Sequence, residues 1–255
     1  MFYVAAFWIL IIFCVVNGEQ LLKIDLYVNG DAYKIATGSY PCYRQPAIMA
    51  GSIDNMVILA FAEGRDIPLS QCAPALQRRF QPNEEGGLVL RRSIDAGVTF
   101  AKPVVIYSGN MDFYTVVFDR STLTAWLMLQ VQKSTMVFQS TDSGLTWSFP
   151  LIFKVLYPPG VNLSIISPAV GHGIQIANDL CVDRKGCQNN GRFLLPFVCS
   201  SSTYQDSIST AKNLRIIDLL SNDLQCLQCH ACLLWSDDHG YTWTLGAAAQ
   251  VRKLL

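Results

Sequence analysis

The sequence predicts an all-β fold built as β-propeller blades, about three of them, and three observations predict it. The pattern Ser-x-Asp-x-Gly-x-Thr followed by an aromatic residue occurs at Ser93–Phe100, at Ser140–Trp147 and again at Ser236–Trp243. Short apolar, β-rich runs dominate the chain: Met56–Phe61, Leu88–Leu90, Thr124–Leu129 and Phe193–Val198, divided by Gly, Pro, Asn and Asp, while helical periodicity is scarce. The repeats are also spaced like blades. Asp95 and Asp142 lie about 47 residues apart and Asp142 and Asp238 about 96, against roughly 40–50 residues for one four-stranded propeller blade.

Each repeat reads as a hairpin turn. The Asp95, Asp142 and Asp238 carboxylates accept hydrogen bonds from nearby backbone N–H groups, and the Gly supplies a positive φ. Thr and the aromatic residue then start the next strand, with the ring buried between neighbouring sheets. These aspartates are structural, on the blade rim. The wide second gap is either two blades with one repeat lost or, as preferred here, one blade carrying insertions at Asn178–Asn190 and Ser200–His230.

Composition narrows the function. A chain of 255 residues with 51% hydrophobic and 15% charged residues buries a large core, and zero net charge without a basic run argues against nucleic acid. Phe2–Val16 is nearly continuously apolar, and about fifteen residues is short for a membrane span. Residues 1–18 read as a cleaved signal peptide and 19–255 as the mature domain, with an uncleaved anchor as the alternative. Cleavage removes Cys14 and leaves an even set of cysteines, which suits an oxidising lumen. In that compartment Asn162-Leu163-Ser164 is a glycosylation sequon.

Cys226-Leu-Gln-Cys229-His230 has the form of a c-type haem attachment motif, but it stands in an insertion without a distal ligand and is rejected as one. Zinc held by Cys226, Cys229, His230 and Cys232 is crowded; disulfides or free thiols fit better. No cofactor and no metal are assigned. His172, in Gly171-His-Gly173, reads as a core or rim histidine, and Arg91-Arg92 as a charge pair on alternate strand faces with at least one solvated.

Further motifs fall in order around the repeats. Tyr43-Arg44-Gln45-Pro46 resembles the Phe/Tyr-Arg-Ile/Val-Pro motif of sialidases, and Leu59-Ala-Phe-Ala-Glu63-Gly-Arg65 resembles the Leu-Ala-Phe-Ala-Glu-x-Arg strand of animal sialidases. Leu88–Ser93 leads into the first repeat as in that family, and Gly171–Gln175 and Cys232–Gly240 are similar to its lysosomal branch. The resemblance covers about Tyr43 to Gly246. It implies a six-bladed propeller that removes terminal sialic acid from glycoproteins, oligosaccharides and gangliosides. It further implies delivery through the secretory pathway to the lysosome, with a secreted or membrane-associated form, or a protein partner there, as alternatives. Arg44 matches the first of three carboxylate-binding arginines, and Arg65 a further arginine beside the sugar. A planar guanidinium suits that carboxylate because it offers two parallel charge-assisted hydrogen bonds.

Two departures from the family pattern stand out. Its acid–base aspartate aligns with Pro82; Asp66, Glu84 and Glu85 are nearby substitutes, of which Glu84 is preferred. The family's activating glutamate, its other two carboxylate-binding arginines and its nucleophilic tyrosine would all follow Leu255. The expectation is therefore a chain inactive as a hydrolase by itself, with open blade edges that can pair with another chain. The alternative is a non-catalytic sialic-acid-binding or purely structural propeller piece.

Overall fold

The computed structural model describes residues 24–30, 38–75, 84–132, 134–176, 191–201 and 229–250. The chain forms three sheets in succession. The first is the antiparallel meander β1 (Cys42–Ala50), β2 (Ile58–Asp66), β3 (Glu85–Ser93) and β4 (Val104–Ser108). The second contains β5 (Tyr114–Asp119), β6 (Thr124–Val131), β7 (Ser134–Ser140) and a short β8 (Leu151–Ile152). After β9 (Val155–Leu156), the third sheet begins with β10 (Leu163–Pro168). The chain then lays β11 (Gly171–His172) parallel on β5 and returns as β12 (Ile174–Gln175) to pair with β13 (Phe193–Ser201). Strands β14 (Cys229–Ser236) and β15 (Trp243–Gln250) complete the third sheet, and β9 adds to the outer edge of β15 in parallel. These are three propeller blades. All four predicted runs lie wholly or largely in strands, as parts of β2, β3, β6 and β13. The unforeseen element is the seven-residue helix α1 (Leu69–Ala75) after β2.

A blade in the middle of such a stack is buried on both faces, so its strands read as continuous apolar runs rather than strict alternation. Along β6, Leu127 and Leu129 join Tyr114, Val116 and Phe118 against Leu59, Phe61, Leu88 and Leu90 of the first blade. Trp126 and Met128 turn the other way, with Val117 and Val137, against Phe193, Leu195, Phe197, Leu234 and Leu245 of the third. On the back of the first blade, Tyr40, Tyr43 and Tyr27 cover Ala62 and Val89.

Every repeat closes the turn between the third and fourth strand of its blade, and the three share one hydrogen-bond pattern. In the first, the Ser93 hydroxyl donates to Asp95 Oδ1 (2.6 Å) and accepts from the Gly97 N–H (2.9 Å). Thr99 donates its N–H to Asp95 Oδ1 (2.9 Å) and its hydroxyl to Oδ2 (2.6 Å). Ser140, Asp142, Gly144 and Thr146 repeat these bonds, as do Ser236, Asp238, Gly240 and Thr242. The glycines have φ of +88°, +82° and +93°, and the residues before them, Ala96, Ser143 and His239, are left-handed as well. One repeat per consecutive blade bears out the insertion reading of the long gap. The two insertions themselves fall almost entirely outside the described residues, on either side of β13.

One expectation about the repeats is corrected. Only the third aromatic, Trp243, begins its strand and is fully buried; β4 starts at Val104 and β8 at Leu151, after short extended links, which leaves Phe100 and Trp147 half-buried. Trp147 still meets Phe61 edge-on, with ring centroids 6.0 Å apart across the first junction.

The turns also join the blades. Arg92 of the first blade donates from Nε to the Ser143 carbonyl in the second repeat (2.7 Å). A Cβ at Gly144 would lie 2.7 Å from Leu59, and one at Gly240 would lie 2.9 Å from the Trp126 ring. Register places Leu59 opposite Arg92, and Trp126 opposite Gln139, each pair just before its own blade's repeat. So the turns of the second and third blades seat their glycines on the second strand of the blade before. At the junction of the second and third blades, buried Asp119 also accepts from Gln175 Nε2 (2.8 Å) and pairs with His239 Nδ1 (2.9 Å).

The carboxylate bonds set a pH window. Hydrogen bonds from Ser93 and then Thr99 hold Asp95 down at about 2. At Asp142 burial pushes the other way, but bonds from Thr146 and Ser140 outweigh it and the group also lies at about 2. An unfolded aspartate titrates near ~3.9, so this contribution is complete above that pH and is lost as pH falls toward 2. Urea titrations between pH 5 and 2 should show stability falling over that interval, with a shallower slope in an Asp95→Asn, Asp142→Asn double variant. Both groups are largely solvent-screened, so the change in slope is modest.

Candidate functional site

Antiparallel register sends the ends of each blade to opposite sides. In the first blade, Ile58 pairs with Ser93 at the repeat-turn end and Arg65 with Gly86 at the other. Arg44 faces Glu63 directly across β1 and β2, and Arg65 lies two residues beyond Glu63 on the same face. The motif residues therefore gather at the blade end away from the repeats.

Their arrangement is a buried ion cluster. Glu63, fully buried, accepts Arg44 Nε–H on Oε2 (2.6 Å) and Arg65 Nε–H on Oε1 (2.5 Å). With both oxygens accepting from guanidinium groups, the bonds are those of a carboxylate. Burial pushes the Glu63 carboxyl above its ordinary value and the two arginines oppose the shift, Arg44 most. Burial likewise pulls Arg65 down while Glu63 raises it, and a guanidinium remains charged throughout. Arg65 Nη1 stands 3.8 Å from Glu84 Oε2, just ahead of β3. Arg44 also reaches the Asp112 carbonyl at 3.5 Å, which connects the cluster to the second blade.

A bulge aims Arg44. Pairing between β1 and β2 shifts register between Arg44 and Ala47, and Gln45 in the bulge has φ +53°. Such a bulge re-aims a side chain at the cost of one left-handed residue. The Gln45 carbonyl accepts the hydroxyl of Tyr114, tying the bulge to β5. Burial raises the Tyr114 phenol well above its ordinary pKa, so this tyrosine stays protonated.

Cys42 is the register partner of Arg65 and is disulfide-bonded to Cys72 in α1, with Cα atoms 5.6 Å apart. The helix is thereby tied to the rim of the cluster. A bridge closing a loop of 30 residues stabilises by about 3.7 kcal/mol through the chain entropy it removes from the unfolded state, so a Cys42→Ser, Cys72→Ser double variant should lose about that much in urea unfolding. A second disulfide joins Cys199 to Cys232, which takes Cys232 out of the zinc set considered from sequence. The Cys226 position lies outside the described residues.

The structure thus brings Arg44, Arg65 and Glu84 into one cluster. Arg44 retains about a tenth of its side chain open to solvent and Glu84 a similar share, whereas Arg65 is 1% exposed. Asp66 and Glu85 pair across β2 and β3 next to it, and Pro82 lies outside the described residues. Asp95, Asp142 and Asp238 stand apart at the opposite end, each in its own turn. Asn162 is exposed just before β10. His172 lies on β11, opposite Val116 of β5. Sequence reasoning used Glu63 only as a motif letter. A carboxylate two residues from one motif arginine on a strand was the available sign that it would share a face with it.

Neither a protein-family model nor a curated protein matches the sequence. Solved structures do. The Hadza microbial sialidase Hz136 superposes with a TM-score of 0.52 at 18% identity, over 82% of this chain and 38% of that one. A leech intramolecular trans-sialidase complexed with 2,7-anhydro-Neu5Ac superposes with a TM-score of 0.54 at 12% identity, over 92% of this chain and 47% of that one. The fold is the sialidase-type propeller. At these identities the likeness is one of architecture, and this chain spans less than half the length of either structure. In the sialidase-type propeller the arginine cluster of this chain lies between its first two blades, at the end free of repeat turns. No helix among the described residues is long and apolar enough to cross a membrane.

Proposed function

We propose that this chain is a sialidase-related propeller unit that recognises the terminal sialic acid of glycoproteins, oligosaccharides and gangliosides in the secretory pathway and lysosome. The observation that carries the reading is the Arg44–Glu63–Arg65 cluster in a sialidase-type fold. Arg44 is the contact for the sugar carboxylate, because its side chain keeps about a tenth of its surface open while that of Arg65 is 1% exposed. Glu63 fixes the directions of both. Glu84, beside Arg65 and partly open to solvent, stands where an acid–base group would act, a role that binding alone does not use.

The 255-residue polypeptide binds without turning over. Sialoside hydrolysis by the tyrosine route needs a phenol activated by a neighbouring carboxylate. Tyr114, which ties the Arg44 bulge to the second blade, is buried, donates to a backbone carbonyl and is pushed away from ionisation. Tyr114 therefore does not supply that phenol, and on this reading the purified chain should release no fluorophore from a 4-methylumbelliferyl sialoside. Release that disappears in Glu84→Gln would contradict this and make the chain a hydrolase in its own right.

A further inference from the structure

Gln45 holds a left-handed backbone, φ +53°, against two preferences. It is not a glycine, and it precedes Pro46, whose ring biases the residue before it toward extended backbone with φ of about −120°. A residue keeps such a conformation only where its surroundings over-determine it. The bond from the Tyr114 hydroxyl to the Gln45 carbonyl supplies that constraint. Tyr114 is fully buried, with its ring centroid 6.3 Å from that of Phe61, so the hydroxyl arrives from a fixed direction. The segment that carries it is itself anchored. The Asp112 N–H donates to the Gln130 carbonyl (2.9 Å), and the Gln130 N–H to the Phe113 carbonyl (2.8 Å). From the same segment the Asp112 carbonyl accepts Arg44 Nη2 at 3.5 Å. The start of the second blade thus holds both the bulge and the guanidinium that the bulge delivers to Glu63.

We infer that Tyr114 is a positioning residue for sugar recognition: its hydroxyl fixes the bulge in the form that directs the Arg44 guanidinium. It needs no contact with the ligand and acts through Arg44, so the inference rests on the reading that Arg44 meets the sugar carboxylate. A planar guanidinium pairs with a carboxylate over a narrow range of directions, and a small rotation loses the second of two parallel hydrogen bonds. In Tyr114→Phe the Gln45 carbonyl loses its donor, and nothing from the second blade opposes the strain of its left-handed φ. The bulge then relaxes toward the extended form that Pro46 favours, and Arg44 swings away from Glu63. Glycine at position 45 removes the strain at its source, because positive φ is open to it without penalty. The second blade therefore sets the direction of a ligand contact that belongs to the first.

The test compares Tyr114→Phe, alone and combined with Gln45→Gly, with Tyr27→Phe, folding being checked by near-UV circular dichroism. Tyr27 donates its hydroxyl to the Ala60 carbonyl (2.7 Å) at the back of the first blade, so Tyr27→Phe deletes a comparable bond away from the bulge. The first readout needs no ligand. The Arg44 Nε–H resonance in proton–nitrogen correlation spectra, assigned by its loss in Arg44→Ala, should move in Tyr114→Phe and stay in Tyr27→Phe. In the double variant it should return toward its wild-type position. The second readout is affinity for the methyl α-glycoside of N-acetylneuraminic acid by saturation-transfer NMR. Tyr114→Phe should weaken it about tenfold, the loss of one hydrogen bond to a charged group. The double variant should recover part of that loss, and Tyr27→Phe should match wild type. An unmoved Arg44 resonance in folded Tyr114→Phe overturns the inference, as do equal losses of affinity in Tyr27→Phe. A loss that Gln45→Gly does not relieve also overturns it, since the hydroxyl then acts otherwise than through the bulge. If Tyr114→Phe does not fold, rescue of folding by Gln45→Gly supports the inference and failure of both overturns it. Absence of binding by wild type contradicts the sialic-acid reading instead, and the Arg44 resonance still decides the positioning.

Discussion

Replacing Gly240 by alanine should destabilise the protein by about 2–5 kcal/mol. A left-handed backbone costs an L-residue roughly 1–2 kcal/mol, and overfilling a packed contact adds about 1–3. Both apply at Gly240, where φ is +93° and the new methyl group would lie 2.9 Å from the Trp126 ring, a rigid group fixed in the core between the second and third blades. Gly144→Ala should fall in the lower half of that range: the clash is with Leu59, whose side-chain end can shift a little although the residue is fully buried. Gly97→Ala meets no neighbouring blade within its own chain, so only the backbone cost of about 1–2 kcal/mol applies. Urea unfolding of the three variants should order them Gly240, Gly144, Gly97. Equal losses would show that the turns do not seat on neighbouring blades.

The second large effect belongs to Glu63. Glu63→Gln leaves the Arg44 and Arg65 guanidinium groups facing each other in a buried site without their shared anion. Removing one partner of a buried ion cluster costs about 3–5 kcal/mol, chiefly because the remaining charges stay desolvated. Replacing Arg44, Glu63 and Arg65 together with apolar residues of similar volume should cost less than Glu63→Gln alone, as expected where desolvation cancels most of the Coulombic gain. Thermal and urea unfolding of the single and triple variants separate the two cases. If the triple variant lost as much as the single, the cluster would be contributing net stability rather than orientation.

The architecture was legible because its signals are local. A turn that needs an Asp, a positive-φ Gly and a Thr at fixed offsets writes itself into the sequence, and strands buried on both faces appear as unbroken apolar runs such as Phe193–Val198. The register that places Arg44 opposite Glu63, and Arg65 on the same face, is a long-range property and had no such signature. The bulge at Gln45 was equally hidden, because its left-handed φ falls on a residue that shows no preference for it. The aromatics of the first two repeats were expected to start strands at once, but after single bonds from the Ala101 N–H to the Arg92 carbonyl and from the Ser148 N–H to the Gln139 carbonyl, Lys102-Pro103 and Pro150 interrupt the ladder, and the strands begin at Val104 and Leu151. A proline lacks the N–H a ladder needs and biases the residue before it toward extended backbone without pairing. Glu84 is preferred from the sequence because Glu84-Glu85-Gly86 resembles the Asp-Glu-Gly of sialidases, whereas its nearness to Arg65 is a product of the β2–β3 register.

The most direct test of the account is a titration of the 255-residue chain with the methyl α-glycoside of N-acetylneuraminic acid, followed by saturation-transfer NMR. The account predicts saturable binding that is lost, by tenfold or more, in Arg44→Ala and weakened in Arg44→Lys, which keeps the charge without the planar fork. Absence of binding by the folded chain, or equal binding by Arg44→Ala, would contradict it.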